Sequence, residues 1–261
     1  IRDLSACGST GGGLTATSSV DVGNNTCITF ASAAAEGGSA QPQVWNSTDW
    51  TLYDTITIDA TQVDDDLTDF PVYVDLADLS SQFWSTTPAA SSTVGTDIRV
   101  TTDSGSPTEL PRELVAASST AQTGELHFKA NSISSTTDTV FRIYYNGTTT
   151  GDYATDTTYG AQNVWTNGYE AVYHMEDDPT GTAGDLLDST SNANHGDSTG
   201  SMAAAVSGNS GNGWRFDGMN DYIDLPSFIS SVSAFTVSYW VETPAYDDGR
   251  VFNTDGTGLT Q

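Results

Sequence analysis

The sequence predicts an all-β protein, and two observations lead to this fold class. Apolar and polar residues alternate along short segments such as "DFPVYVDL" (residues 69–76) and "FTVSYWVE" (residues 235–242), which is the period of half-buried strands. Clusters of Gly, Ser, Thr and Asn separate these segments, and almost no stretch repeats apolar residues at helical spacing. Short strands joined by turns favour β-sandwiches.

Residues 1–43 are small and polar, and they predict a β segment followed by the linker "ASAAAEGGSAQPQ". They contain both cysteines of the chain, Cys7 and Cys27. In an extracellular protein these cysteines would form one disulfide that closes a loop of about 20 residues and contributes about 3 kcal/mol. The alternative is a pair of buried free thiols, and no other cysteine is present to complete a zinc site.

Residues 44–160 predict a β-sandwich module. In the first of its strands Val72 and Val74 fall on one face and Tyr73 on the other. Further strands are predicted along "TDIRVTT", "GELHFKA" and "TVFRIYYNG".

This module carries five motifs in a specific order: Trp50, "DFPV" (69–72), "GTDIR" (95–99), "LPRE" (110–113) and "YYNG" (144–147). In these motifs it resembles domain-of-unknown-function family 2341. That family occurs in bacterial and archaeal surface proteins and is fused to proton channels of the MotA/TolQ/ExbB type. The resemblance implies a β-sandwich of a surface protein, and it implies no activity.

The charged residues of these motifs predict ion pairs at the rim of the sandwich. Asp97 and Arg99 flank Ile98, so they share the strand face opposite to it. We expect Arg99 or Arg112 to pair with Asp97 or Glu113 in a contact that fixes loop geometry. An acid/base pair is the alternative, but no nucleophile or histidine lies nearby in the sequence.

Residues 161–261 predict a second β module. Its motifs are "AVYHMEDD" (171–178), "LLDSTSNANHG" (186–196), "GWRFDGMNDYIDLP" (213–226) and "AFTVSYWVE" (234–242). In these motifs it resembles the laminin-G-like, concanavalin-A-like jelly rolls. Such jelly rolls need more strands than this length of chain supplies, so we expect the domain to be incomplete. Either the chain is a fragment of a longer protein, or another chain completes the sandwich.

The jelly-roll resemblance implies a calcium site, because domains of this superfamily often bind one ion through loop oxygens. The loop after Gly184 supplies oxygen ligands of the type that Ca²⁺ takes. They are Asp185, Asp188, Asn192, Asn194 and Asp197. The alternative is that these side chains form turns by accepting backbone hydrogen bonds. In "GWRFDGMNDYIDLP" we expect Phe216, Ile223 and Leu225 to face the core, with the Asp residues in turns.

Catalytic patterns are missing from the sequence. His127, His174 and His195 stand far apart, without the spacing of a metalloprotease motif, so no zinc site is predicted. The glutamates form no compact E-x-D-x-x-E motif of the kind that concanavalin-like glucanases carry, and glycoside hydrolysis needs two facing carboxylates. We therefore expect no enzymatic activity.

The charge of the chain favours export. The formal net charge is −27, and Lys129 and six arginines supply all the fixed positive charge. Such a surface repels phosphate backbones and excludes nucleic acid as a partner, and it suits a protein in salt water. No apolar run approaches membrane-spanning length. The sequons at Asn24, Asn46 and Asn146 permit N-glycosylation if the source organism performs it.

Together these features predict an extracellular, non-enzymatic module of a prokaryotic cell surface, structural or adhesive, which recognises protein or glycan. A subunit of a filament or surface layer, self-associating by β-strand addition, is the first alternative. A polysaccharide-active enzyme and the periplasmic sensor part of a proton-channel protein are the others.

Overall fold

The structure is a computed structural model that describes residues 28–31, 50–86, 95–104, 107–147, 151–208, 211–227 and 233–242. Within these ranges strands dominate and the prediction of an all-β protein is confirmed. The strands are β1 (Ile28–Ala31), β2 (Trp50–Ile58), β3 (Leu67–Asp75), β4 (Arg99–Thr102), β5 (Glu109–Leu110), β6 (Arg112–Ser118), β7 (Thr123–Ile133), β8 (Thr139–Gly147), β9 (Asp197–Thr199), β10 (Ala203–Ser207), β11 (Asn212–Arg215) and β12 (Tyr222–Asp224). The described helical segments are α1 (Ser81–Thr86) and single 3-10 turns at Ala60–Gln62, Leu76–Asp78 and Ala161–Asn163.

Strands β1 to β8 form a sandwich of two antiparallel sheets. One sheet has the order β1-β2-β8-β4-β5, and the other has the order β3-β7-β6. Their facing sides share one apolar core, which also takes in Phe83 and Trp84 of α1. No helix in the described part of the chain is long and apolar enough to cross a membrane.

The alternation of the sequence determines which side of the three-stranded sheet faces the core. Val72 and Val74 of β3 and Phe128 of β7 are fully buried in the shared core. Tyr73 and His127, which are paired across the ladder, lie on the other side of the same sheet. The faces predicted for β3 are therefore confirmed, and the outer side of this sheet carries the candidate site described below.

Pro111 is the point where the chain passes from one sheet to the other. Leu110 pairs with β4 in the five-stranded sheet, and Arg112 pairs with Phe128 in the three-stranded sheet. Proline has no N–H to donate and is tolerated at such a break in a ladder. Its carbonyl still accepts a hydrogen bond from the backbone N–H of Lys129, at 3.0 Å.

The predicted ion pairs at the sandwich rim have other partners than expected. Arg99 pairs with Glu109 at 3.7 Å and Arg112 pairs with Asp152 at 2.7 Å. Both guanidinium groups are buried, and they face the Tyr153 ring. Folding brings Glu109 and Asp152 to these guanidinium groups, so the prediction of Asp97 or Glu113 as the partner was wrong.

Strand β1 extends the five-stranded sheet, although it falls inside the N-terminal segment that the sequence separates from the sandwich. Its residues pair with β2 from Ile28 opposite Ile58 to Ala31 opposite Thr55. The predicted disulfide between Cys7 and Cys27 and the linker that follows β1 lie outside the described residues.

Residues 161–227 build a second, smaller apolar cluster of their own. Leu186, Met202 and Trp214 are buried together, and Ile223 and Leu225 pack against them. The ladders in this part are the two-stranded pairs β10–β11 and β9–β12. The expected core positions of Ile223 and Leu225 are thus confirmed.

Two expectations for the C-terminal module were wrong. Phe216 is 45% exposed, and its place in the core is taken by Trp214, whose indole N–H is anchored on the Asp177 carbonyl at 2.8 Å. Residues 235–242 form no ladder with another described segment, so the strand that their alternation predicts is not assigned. Alternation shows which side chains could share a face, but a strand also needs a hydrogen-bonded neighbour.

Candidate functional site

Two neighbouring strands place ionisable side chains on the outer side of the three-stranded sheet. Glu113 of β6 stands opposite His127 of β7 in the ladder register. Glu125 lies two residues before His127 and therefore on the same side of β7. The residue between them, Leu126, points into the sandwich core. The fold thus brings two carboxylates and an imidazole together on a surface that the core residues do not occupy.

His174 from the C-terminal module completes this group. Its Nδ1 lies 3.2 Å from Oε1 of Glu125, and its Nε2 lies 3.2 Å from Oε2 of Glu113. The same Oε1 of Glu125 lies 2.8 Å from Nε2 of His127. We call Glu113, Glu125, His127 and His174 the His–Glu cluster. It joins the sandwich to the segment that follows it.

Glu113 connects the cluster to two further side chains of the C-terminal module. The indole N–H of Trp165 donates to Oε2 at 2.5 Å, and the hydroxyl of Ser189 donates to Oε1 at 2.6 Å. The Trp165 ring also contacts the rings of His127 and His174, with centroids 5.1 and 5.7 Å away. A buried carboxylate is tolerated only when donors compensate it, and Glu113 has three.

The electrostatics of the cluster separate its two imidazoles. Although burial opposes the charged form, the hydrogen bonds to Glu113 and Glu125 raise the pKa of His174 to about 9. Burial lowers the pKa of His127, although Glu125 opposes this shift. The pKa values of both carboxyls are lowered because hydrogen bonds from the cluster outweigh their burial. These shifts favour a charged His174 between the two carboxylates and a neutral His127.

Side chains of the predicted calcium loop are engaged in hydrogen bonds with backbone groups of the protein. The Asp188 carboxylate accepts from the backbone N–H groups of Val172, Thr190 and Asn194 at 2.8–2.9 Å. The Asn192 and Asn194 side-chain amides donate to the Glu170 carbonyl. These contacts are the turn-forming roles that the sequence left open as the alternative to calcium.

Asp185 follows the same pattern as Asp188. Its carboxylate accepts from the backbone N–H groups of Gly181 and Ser198 at 2.8 Å. Although burial opposes it, these bonds and the Ser198 hydroxyl lower the pKa of Asp185 to about 2. The one group of His, Cys, Asp and Glu side chains in the described ranges with metal-ligand spacing lies elsewhere, in the His–Glu cluster. Calcium binding by the loop stays a prediction.

Of the three candidate glycosylation sites, Asn146 alone lies in the described residues. Asn146 is exposed at the end of β8, with a positive φ of 59°. Asn24, Asn46, Cys7 and Cys27 lie outside the described residues. Use of the sequons stays a prediction.

Sequence reasoning missed the His–Glu cluster because its members come from three separate segments. One local signal was present: Glu125 and His127 alternate with apolar residues on a predicted strand and must share its outer side. His174 and Glu113 had no spacing relation to this pair. The absence of a sequence motif therefore did not exclude a cluster of side chains with metal-ligand spacing.

A comparison of the chain with protein-family models found no match, and comparisons with curated proteins and with solved structures found none either. The resemblance to family 2341 and to laminin-G-like jelly rolls therefore stays a prediction from motifs.

Gly211 offers a test of how closely the two modules pack. It has a φ of +61°, and a Cβ at this position would lie 2.7 Å from Oε2 of Glu125 and 2.5 Å from Oε1 of Glu176. We expect Gly211→Ala to lower the free energy of unfolding by about 1–2 kcal/mol for the backbone conformation. Overpacking against the carboxylates adds about 1–3 kcal/mol. Urea denaturation measures the sum.

Gly181→Ala is the matched control for this variant. Gly181 has a similar φ of +73°, but nothing lies within 4 Å of its Cβ position. It should therefore show the backbone cost alone, and the difference between the two variants measures the steric clash. Equal losses of stability would contradict the close packing of Gly211 against Glu125.

Proposed function

We propose that this chain is an exported, non-enzymatic module of a prokaryotic cell surface, which recognises a protein or glycan partner. The observation that carries the proposal is a set of exposed apolar side chains in the C-terminal module of a strongly acidic protein. Val237, Tyr239, Trp240 and Val241 are between 43% and 60% exposed. Contiguous exposed apolar residues on a soluble protein are typical of interaction surfaces.

The chemistry of this segment suits a binding surface. Tyr239 and Trp240 combine a large apolar ring with one polar atom, the type of side chain that is enriched at protein interfaces. Flat rings also suit the apolar faces of sugars.

The distribution of charge supports a location outside the cell. Arg99 and Arg112 are buried in the sandwich, and Arg142 is paired with Asp103. Half of the arginines of the chain are thus engaged in internal contacts, while the net charge is −27. Several carboxylates are buried as well, and the accessible surface stays strongly acidic. Such a surface keeps a protein soluble in salt and repels other anionic surfaces.

The buried carboxylates support a structural role. Asp54 accepts from the backbone N–H of Ser80 and from the Tyr145 hydroxyl, while Glu113 and Asp188 are held by donors of the C-terminal module. Each of these groups is used to fix a loop or to join two segments. A carboxylate that is occupied in this way contributes to stability and is not free to transfer protons to a substrate.

A second candidate function is assembly into a filament or surface layer by β-strand addition. The observation that favours it is that residues 234–242 have the alternation of a strand but form no ladder with another described segment. A partner strand would supply the missing main-chain hydrogen bonds, as in β-augmentation. This candidate uses the same residues as the first and differs in the partner, which is then a copy of this chain.

Both candidates are tested with the double variant Tyr239→Ser/Trp240→Ser. Binding of the wild type is measured to a cell-envelope preparation of the source organism and to a panel of purified polysaccharides, and self-association is measured by sedimentation velocity. We expect the double variant to lose at least about 30-fold in affinity, which corresponds to about 2 kcal/mol for an aromatic hot spot.

The control is Leu187→Ser, because Leu187 is 52% exposed but lies outside this segment. Loss of envelope or glycan binding in the double variant alone supports recognition of a partner, and loss of self-association alone supports the assembly. If the wild type instead releases sugars from the polysaccharides, or if the double variant and the control bind equally, the proposed function is wrong.

A further inference from the structure

We propose that Glu125, His127 and His174 bind one divalent transition-metal ion, preferentially zinc, between the sandwich and the C-terminal module. The proposal does not depend on the function proposed above. It rests on the donor atoms that the fold brings together and on the carboxylate behind them.

The three donor atoms lie close enough together to bind one zinc ion. Oε1 of Glu125 lies 2.8 Å from Nε2 of His127 and 3.2 Å from Nδ1 of His174, and all three atoms lie within 4.8 Å of one another. With bonds of about 2.0–2.1 Å, tetrahedral zinc places neighbouring donors about 3.3 Å apart. Small side-chain rotations would therefore complete the geometry, and one position is left for water.

Glu113 provides the second observation. It contacts Nε2 of His174, the ring nitrogen opposite the proposed metal-binding Nδ1, at 3.2 Å. Metal-bound histidines almost always donate their other N–H to a carboxylate or carbonyl, which fixes the tautomer and the ring orientation. Glu113 is itself fixed by Trp165 and Ser189. The site thus has ligands and the outer support that ligands need.

The donor set selects the type of metal. Two imidazoles and one carboxylate suit zinc, cobalt and nickel, whereas calcium and magnesium take oxygen ligands. The charge also balances, because the two positive charges of the ion would offset the negative charges of the Glu113 and Glu125 carboxylates. This site is separate from the predicted calcium loop, and the two can be distinguished by their metal preference.

A metal at this place would join two parts of the chain. Glu125 and His127 belong to β7 of the sandwich, whereas His174 belongs to the C-terminal module. Binding to the folded state alone stabilises that state, and here it would stabilise the contact between the modules. We therefore expect the metal to protect residues around His174 from hydrogen exchange.

The test uses the full chain without a histidine tag, stripped with EDTA and titrated with Zn²⁺ in a calorimeter and with Co²⁺ in the visible spectrum. We expect one ion per chain and the absorption bands of tetrahedral Co²⁺. His127→Gln and His174→Gln each remove a proposed direct ligand, so each should lower the zinc affinity by about 100-fold or more. Loss of an outer-shell partner alone costs about 10–100-fold in metal affinity. His195→Gln should leave the affinity unchanged, because His195 contacts the backbone N–H of Asp188 instead.

X-ray absorption of the zinc-loaded wild type keeps the test independent of whether the variants fold. Two imidazole ligands and one carboxylate are expected in the zinc shell. A shell of oxygen atoms only, no bound ion, or affinities of His127→Gln and His174→Gln equal to that of the wild type would each overturn the proposal. The cluster would then be a charged hydrogen-bond network only.

Discussion

Replacing Phe128 by alanine is expected to lower the free energy of unfolding by about 3–5 kcal/mol. Phe128 of β7 is fully buried and meets Phe141 of β8 edge to face, with ring centroids 4.9 Å apart. These two strands belong to different sheets, so the pair lies at the contact that makes the sandwich. Single domains are stable by about 5–15 kcal/mol, so the loss would bring the sandwich close to its threshold.

Urea denaturation measures this loss in the free energy of unfolding, and two further variants serve as comparisons. Phe216→Ala removes the same ring from a position that is 45% exposed, and we expect it to cost well under half as much. Phe141→Ala, alone and combined with Phe128→Ala, should show a coupling of about 0.5–1.5 kcal/mol. If Phe128→Ala costs no more than Phe216→Ala, the sheets do not share the core described here.

The strands of the sandwich were predictable where alternate apolar residues face the core. In β3, β7 and β8 alternate apolar residues lie on the inner side of the sheet, with Val74, Leu126 and Ile143 fully buried in the core. In such strands a slip by one residue would expose the whole apolar set, so the pattern determines the register. That is why local alternation was sufficient to identify these strands and their inner faces.

Prediction from the sequence was less successful where partners come from distant segments. The partners of Arg99 and Arg112 depend on how Glu109 and Asp152 are brought to the rim, which no spacing rule describes. The turn-forming alternative for Asp188 could be anticipated, because its hydrogen bonds to Thr190 and Asn194 are local.

The His–Glu cluster shows the same limit at the candidate site. The sequence placed Glu125 and His127 on one strand side, but Glu113 joins them only through the β6–β7 register. His174 arrives from a segment without regular secondary structure, so no periodicity indicated where its ring would lie. Long-range docking, and not the local pattern, determines this site.

Glu113→Ala is expected to separate the C-terminal module from the sandwich. The substitution removes the acceptor of Trp165 Nε1–H, of the Ser189 hydroxyl and of the His174 ring. Breaking a buried ion pair on one side costs about 3–5 kcal/mol, because the remaining charge keeps the cost of burial without compensation. Much of this cost can be avoided if the module detaches and its polar groups reach water.

Hydrogen exchange of the EDTA-treated protein distinguishes local detachment from global unfolding. Protection should fall around Trp165, His174 and Ser189, while β2 and β8 in the far sheet keep theirs, because their core contacts do not involve Glu113. Glu170→Ala is the control, since this side chain is exposed and should change stability by less than about 0.5 kcal/mol. A uniform loss of protection over both modules would show that they unfold as one unit. No loss at all would show that Glu113 does not hold them together.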